Sequence, residues 1–454
     1  MEQTEIDFEK LKVGALFRRL FFPTLLGMLG MSAMTAIDGI FIGHSVGADG
    51  IAAVNIIVPV LMLLTGTGLM VGTGCSVTAS VLLARGCHKL ARLHVTQAMI
   101  FATLAAAVPV AWLFFFPEAA GRLLGSSEKL LPQVREYTVW LVPSWFFLIW
   151  TSVGLFVIRL DGAPRLAMAC SLTAALLNIV LDWLFMFPFG WGLMGAAFAT
   201  SLATAAGGVM AVVYLLFFAR RLRLLPLKLS RKSLRFSLRN VAAQCRIGSA
   251  ALLGEATLAV LMLMGNLVFM HYLGDDGVGA FGIVCYYLPF IFMVGNAIAQ
   301  SAQPILSYNF GLGSAARIRE AERVAMLTAA VCGSVVTAVF TLFPGSLTGL
   351  FVRPDSPAAR LAVEGFPCFA MGFLCFIFNL TAVGYFQSVE RVRPATLFAL
   401  LRGLIFLVPA FLLLPRWLGT PGIWLAMPAA EGLTFLAVAA FYFRTRWRDK
   451  ALSN

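Results

Sequence analysis

The sequence predicts an all-α polytopic membrane protein, with twelve transmembrane helices in two six-helix lobes related by a pseudo-two-fold axis along the membrane normal. Three observations lead there. The chain has 454 residues, 60% hydrophobic and only 12% charged, and its apolar runs repeatedly exceed the roughly 20 residues that a spanning helix needs. Its basic residues crowd into alternate connections between those runs. Its two halves read as diverged copies of one another.

Taking the elements in order, the start MEQTEIDFEKLK is polar and acid-containing, and the apolar run after it is too long for a signal core, so no cleavable signal is expected. Twelve spans follow, over residues 16–43, 51–83, 92–116, 134–158, 166–187, 191–218, 247–272, 278–307, 320–344, 360–387, 394–414 and 421–443. The connections holding Arg85, Lys89 and Arg92, Arg159 and Arg165, Arg220 to Arg246, Arg317 and Arg319, and Arg391 and Arg393 are basic, as is the tail RTRWRDK. Those between them, such as HSVGADG, FPFGWG and YLGDDG, are nearly free of Lys and Arg. The positive-inside rule therefore accounts for the formal net charge of +13 better than a nucleic-acid surface does. It places both termini in the cytoplasm, and the plasma membrane is the expected location. The long basic segment is the one real interior linker, giving an N-terminal lobe over 1–219, a cytoplasmic linker over 220–246 and a C-terminal lobe over 247–454.

The lobes align at an offset of about 227 residues, where GADGIAAVNI at 47–56 meets GDDGVGAFGI at 274–283 and Gly195 meets Gly422. Each half has an even number of spans, so both share one orientation; parallel repeats of this kind are a transporter signature. Under this offset Asp182 falls on Pro409 and Thr200 on Met427. Polar chemistry around Asp182 is thus expected in the first lobe only.

That chemistry lies in the stretch Leu177 to Ser201. Asn178 and Asp182 are one helical turn apart, on one face. Asp182 precedes the turn at Phe187 to Gly190 by about as many residues as Thr200 follows it, so both lie about 13 Å deep on adjacent antiparallel helices. Asp38 reaches a similar depth before the turn His44 to Gly50. Carboxylates at that depth are costly without a partner, and these four residues form a candidate proton or small-cation site, with sodium as the candidate metal. Glu255 and Glu431 are the other acids inside spans, on the first and last helices of the second lobe. They are candidates for proton carriers or contacts to a cationic substrate, with hydrogen-bonded structural acids as the bland alternative. Pro23, in the span of Asp38, permits a bend.

Other chemistry is sparse. There is no G-x-x-x-x-G-K-[ST] loop, so an ion gradient is the expected energy source, and no cofactor is expected beyond the coupling ion, H+ or Na+. The cluster GTGLMVGTG at 66–74 does not fit dinucleotide spacing and suits close helix packing. The four histidines show no metal-ligand spacing, and the eight cysteines show no CxxC and read as small core residues. With no convergent nucleophile or metal set, the chain is not expected to be an enzyme.

Asp38 with Pro23 upstream, the N-x-x-x-D of Asn178 and Asp182, Thr200, and AQSAQPILSYNFGLG at 299–313 together resemble the multidrug and toxic compound extrusion (MATE) transporters, over essentially the whole chain. The branch it most resembles is that of DNA-damage-inducible and related multidrug transporters. The resemblance implies two lobes around a cavity that opens alternately to either side. Asp38, Asn178, Asp182 and Thr200 then match the first-lobe site for a proton or sodium ion, and Pro23 the place where the first helix bends. Glu255 matches the seventh-span acid of the norfloxacin-type branch, but the tenth span offers Asn379 in place of an acid. The implied function is cation-coupled export of organic, cationic or amphiphilic compounds by a monomer. The rivals are a lipid-linked oligosaccharide flippase, disfavoured because the charges inside the spans are read as acidic, and an exporter of one specific metabolite.

Overall fold

The structure is a computed structural model that describes residues 7–227, 230–350 and 356–451. All regular elements among them are helical. Eleven helices are long and apolar enough to cross a membrane, and a bent pair makes a twelfth span. We number the spans α1 (Val13–Ser45), α2 (Asp49–Ala84), α3 (His88–Phe115), α4 (Leu131–Leu160), α5 (Pro164–Met186), α6 (Gly192–Phe218), α7 (Ser233–Gly274), α8 (Asp276–Gly311), α9 (Ala315–Leu342), α10 (Pro357–Ala370 with Phe373–Ser388), α11 (Val392–Leu418) and α12 (Thr420–Arg444).

Each departure from a straight apolar rod has a local cause. Pro143 lies in a 3-10 turn, Val142–Ser144, that interrupts α4. Span α10 bends by 47° at its break; there Gly372 lies against Pro428, a Cβ on it would come within 2.9 Å of the Pro428 Cα. Gly274 separates α7 from α8 with φ 64°, a conformation that favours glycine. Ser230 caps the helix that leads into α7, accepting from the Ser233 N–H. The basic segment expected as a linker over 220–246 is therefore helical from Arg231, and α7 starts upstream of residue 247.

The chain forms two compact units. The first comprises residues up to Leu252 together with Gln303–Ile318. Within it α5 lies against both α1 and α6, and α2 against α3 and α4. The glycine cluster of α2 does serve close packing: Gly68 faces Ser152, and a Cβ on Gly72 would meet the Ser152 carbonyl at 3.1 Å. The start of α7 is tied to α3 by polar groups, with Asn240 Nδ2 donating to Gln97 Oε1 (3.0 Å) and Gln97 Nε2 to Ser237 Oγ (2.9 Å). The 299–313 motif supplies Gln303, whose Oε1 accepts from Ser76 Oγ at 2.9 Å. Arg317 bonds Asn309 Oδ1 and the carbonyls of Phe8 and Leu11, satisfying backbone acceptors before α1 begins.

In the first unit, Asp161, just after α4, gathers the chain that leaves α6. Its carboxylate accepts from Tyr214 Oη (2.7 Å) and from the backbone N–H groups of Arg220, Arg221 and Leu222 (2.9, 2.8 and 2.9 Å). Asp161→Ala is expected to cost roughly 2–4 kcal/mol, because charge-assisted bonds are lost and buried N–H groups are left unpaired. Limited trypsin digestion should then cut at Arg220 to Arg223 faster than in the wild type.

The second unit comprises Leu253–Ala302 and the chain from Arg319 onward. Its core is aromatic: Phe269 stacks on Phe281 and meets Trp424 edge-on, each with ring centroids 4.7 Å apart. A Cβ on Gly365 would overlap the indole of Trp424.

Candidate cation site

The first-unit site follows from how α1 and α5 meet. Gly27 on α1 lets its helix approach Ser171 on α5, where a Cβ would stand 3.4 Å from the Ser171 Cβ. Asp38 lies eleven residues after Gly27, and Asp182 eleven after Ser171. Eleven residues are about three helical turns, so the faces that met at Gly27 meet again at the two acids. On the other side of α5, Gly195 of α6 lies against Phe185. The antiparallel run from there brings Asn178 to Thr200, and Asn178 Nδ2 donates to Thr200 Oγ1 at 3.1 Å.

Asp38, Asn178, Asp182 and Thr200 are thus brought together. Asn178 and Asp182 are fully buried. The carboxyl groups of Asp38 and Asp182 lie within hydrogen-bonding reach of each other, and Asn178 within reach of Asp182. Asp38 Oδ1, both oxygens of Asp182 and Asn178 Oδ1 are sealed from solvent with no hydrogen-bond donor among the described residues. Buried acceptors left this way are costly. The cluster is a set of hard oxygen donors that one proton or one small cation would complete.

Tyr137 of α4 is a member that the sequence reading missed. It is buried and close enough to both carboxylates to feel their charge. A lone phenol carries no spacing signal, and only the fold shows which acids it faces. Pro23 lies within α1, which runs unbroken from Val13 to Ser45, one turn before Gly27.

The second-unit acids differ from these. Glu431 of α12 is buried and ion-paired with Arg402 of α11, whose Nε and Nη2 both donate to Oε1 (3.0 and 2.8 Å). Asn379 of α10 donates to Glu431 Oε2 (2.7 Å) and to its backbone carbonyl (2.9 Å). Arg402 lies in a π-helical turn, Leu401–Ile405, with its guanidinium 4.5 Å from the Phe376 ring centre. The reading that charges inside the spans are acidic is corrected here. Arg402 stands inside a span, buried, and its charge is matched by Glu431. Glu255 lies buried on α7, and no hydrogen bond links it to this cluster.

A helical bundle of eleven or twelve apolar spans, built on a repeat and sealing a carboxylate pair inside one half, is the architecture of a membrane transporter. The chain belongs to the MatE family, whose model matches residues 23–184 and again 250–412, once in each half. It is 23% identical over 453 residues to the multidrug export protein MepA of Staphylococcus saprophyticus, covering 98% of this chain and 97% of that protein. To MepA of Staphylococcus aureus it is 24% identical over 444 residues, covering 97% and 96%. Among solved structures, an outward-facing multidrug resistance MATE family transporter of the MOP superfamily superposes with a TM-score of 0.89 at 19% identity, covering 99% of both chains. The Vibrio cholerae MATE transporter VcmN superposes with 0.86 at 18% identity, covering 95% of this chain and 97% of that one.

Proposed function

We propose that this protein is a cation-coupled antiporter that exports organic, cationic or amphiphilic compounds across the plasma membrane by alternating access. It is a transporter and not an enzyme, acts as a monomer, and has both termini in the cytoplasm. The observation that carries the coupling is the pairing of Asp38 with the buried Asp182, in which Asp38 Oδ1 and both Asp182 oxygens are sealed without a donor. The MepA relatives, multidrug export proteins over their whole length, support the direction and class of cargo.

In this reading a proton or sodium ion enters the first unit and is held by Asp38 and Asp182, with Asn178 Oδ1 and Thr200 as further oxygen ligands if the ion is sodium. It cancels the repulsion between the carboxylates and their need for water. Once the site is filled, the segment of α1 that carries Asp38 shifts. Pro23 absorbs the change, since its missing N–H already weakens the helix there. The cargo cavity responds to that movement, which couples ion entry to substrate release.

The test is uptake of a fluorescent lipophilic cation into liposomes holding the wild type, Asp38→Asn or Asp182→Asn, under an imposed proton or sodium gradient. One gradient is expected to drive the wild type and neither to drive the variants. Transport that ignores both gradients would overturn the reading in favour of a facilitator or a lipid-linked oligosaccharide flippase. Transport confined to one metabolite would keep the mechanism and narrow the cargo.

A further inference from the structure

The two stretches matched by the family place α10 and α11 of the second repeat in the positions of α4 and α5 of the first, and the same offset of about 227 residues, which sets Gly195 on Gly422, puts α12 in the position of α6. Both polar clusters are drawn from these corresponding helices. Tyr137, Asn178, Asp182 and Thr200 stand on α4 to α6, joined by Asp38 from α1; Asn379, Arg402 and Glu431 stand on α10 to α12. In each cluster an asparagine donates through Nδ2 to its neighbour and keeps a sealed Oδ1 without a donor. For Asn379 the amide orientation is fixed, because Nδ2 meets two acceptors of Glu431, the side-chain Oε2 and the backbone carbonyl. The difference is charge. Among the described residues the first cluster has two acids and no basic side chain, whereas the second has one acid with a guanidinium bonded to it.

We propose that the Arg402 guanidinium is a tethered cation that does permanently in the second repeat what a mobile cation does in the first, and that Glu431 with Asn379 forms a latent monovalent-cation site uncovered when Arg402 is removed. The π-helical turn and Gly403 serve this placement. A side chain at 403 would collide with Thr257 Oγ1 of α7, so glycine there lets α11 approach α7 closely and seat Arg402 over Phe376. Coupling then falls on one repeat because the other carries its own counter-charge, although both use the same helices. The idea rests on the proposed function only in taking the first cluster as the place of the mobile ion, and its test is made without that cluster.

The experiment uses the purified full chain in detergent in an Asp38→Asn, Asp182→Asn, Glu255→Gln background. Melting temperature is followed against sodium, with choline replacing it at fixed pH, and against pH in choline alone. Among the described residues the titratable groups facing Glu431 are Arg402 from α11 and Cys375 from α10, so Cys375→Ser is included in the pH series. The background is expected to melt independently of sodium. Adding Arg402→Ala should lower its melting temperature by several degrees in choline at high pH and make it recover as sodium or protons are supplied. Adding Glu431→Gln should abolish that response, and Arg402→Lys, which keeps a tethered charge, should never show it. A sodium response identifies the site with the metal ion, and a pH response alone identifies it with the proton. No recovery with either ion, or recovery that survives Glu431→Gln, overturns the proposal. So does an Arg402→Ala protein that folds in no condition, since a mobile cation then cannot take the guanidinium's place.

Discussion

Asp182→Asn is expected to make the protein more stable and less useful. In the native site both Asp182 oxygens are buried without a donor, beside a second carboxyl group. The substitution removes one negative charge and brings an N–H donor within reach of Asp38. The expected gain is about 1–2 kcal/mol, the scale of one satisfied hydrogen bond. Transport should lose its response to the ion gradient altogether. A carboxylate kept only to hold helices together predicts the opposite sign: its amide would destabilise the fold, and transport would fall in proportion to folded protein. Thermal melting in detergent and gradient-driven flux in liposomes, measured on one preparation, separate the two. A rise in melting temperature with loss of gradient response is the signature of a site held under strain for function. Asp182→Leu is the control: it removes the charge but offers Asp38 no donor, so the gain should vanish while coupling is still lost.

The spans were legible in the sequence because a bilayer imposes a length and a composition, and the first-unit site because depth can be counted from turns. Residue counts on either side of Phe187 to Gly190 set Asp182 and Thr200 at one depth, and in the fold Thr200 meets Asn178, one turn from Asp182. Asp38 was matched by depth alone; its facing of Asp182 depends on Gly27 meeting Ser171, a packing detail without periodicity. Arg402 escapes a reading that assigns basic residues to connections as a class, yet it lies well inside the eleventh span. An arginine in hydrocarbon is as costly as an aspartate and demands a partner just as strongly. A search for every ionisable group inside spans would have found Arg402 and directed attention to Glu431. The return of Gln303–Ile318 to the first unit is not legible in the sequence. Apolar runs announce that a helix is buried, but not against what, and only side-chain geometry shows Gln303 meeting Ser76 and Asn240 meeting Gln97.

Gly248→Leu is expected to prevent the protein from accumulating, and Gly248→Ala to destabilise it by on the order of 1–3 kcal/mol, the usual cost of overfilling a packed contact. The reason is a reciprocal crossing of α2 and the start of α7 within the first unit. A Cβ on Gly248 would fall on the backbone carbonyl of Met70, and a Cβ on Gly74 would fall on that of Gln244. Gly74 is one turn beyond Met70 and Gly248 one turn beyond Gln244, so each helix offers a glycine where the other offers bare backbone. The obstacle is a carbonyl locked in its own helix, which cannot swing aside as a side chain could, and the two helices would have to separate. Separation would also stretch the neighbouring bonds from Gln244 to His94 and from Asn240 to Gln97, so the loss spreads beyond one contact. Gly254 lies further along α7, and a Cβ there meets only the Phe292 ring at 3.8 Å, ordinary van der Waals distance. Gly254→Ala should therefore be neutral, or stabilising by up to about 1 kcal/mol through helix propensity. Expression level and melting temperature of the two alanine variants, side by side, decide the matter. Equal tolerance at 248 and 254 would mean that helix separation costs little at this crossing, whereas loss at 248 alone would place the constraint in the crossing and not in the helix.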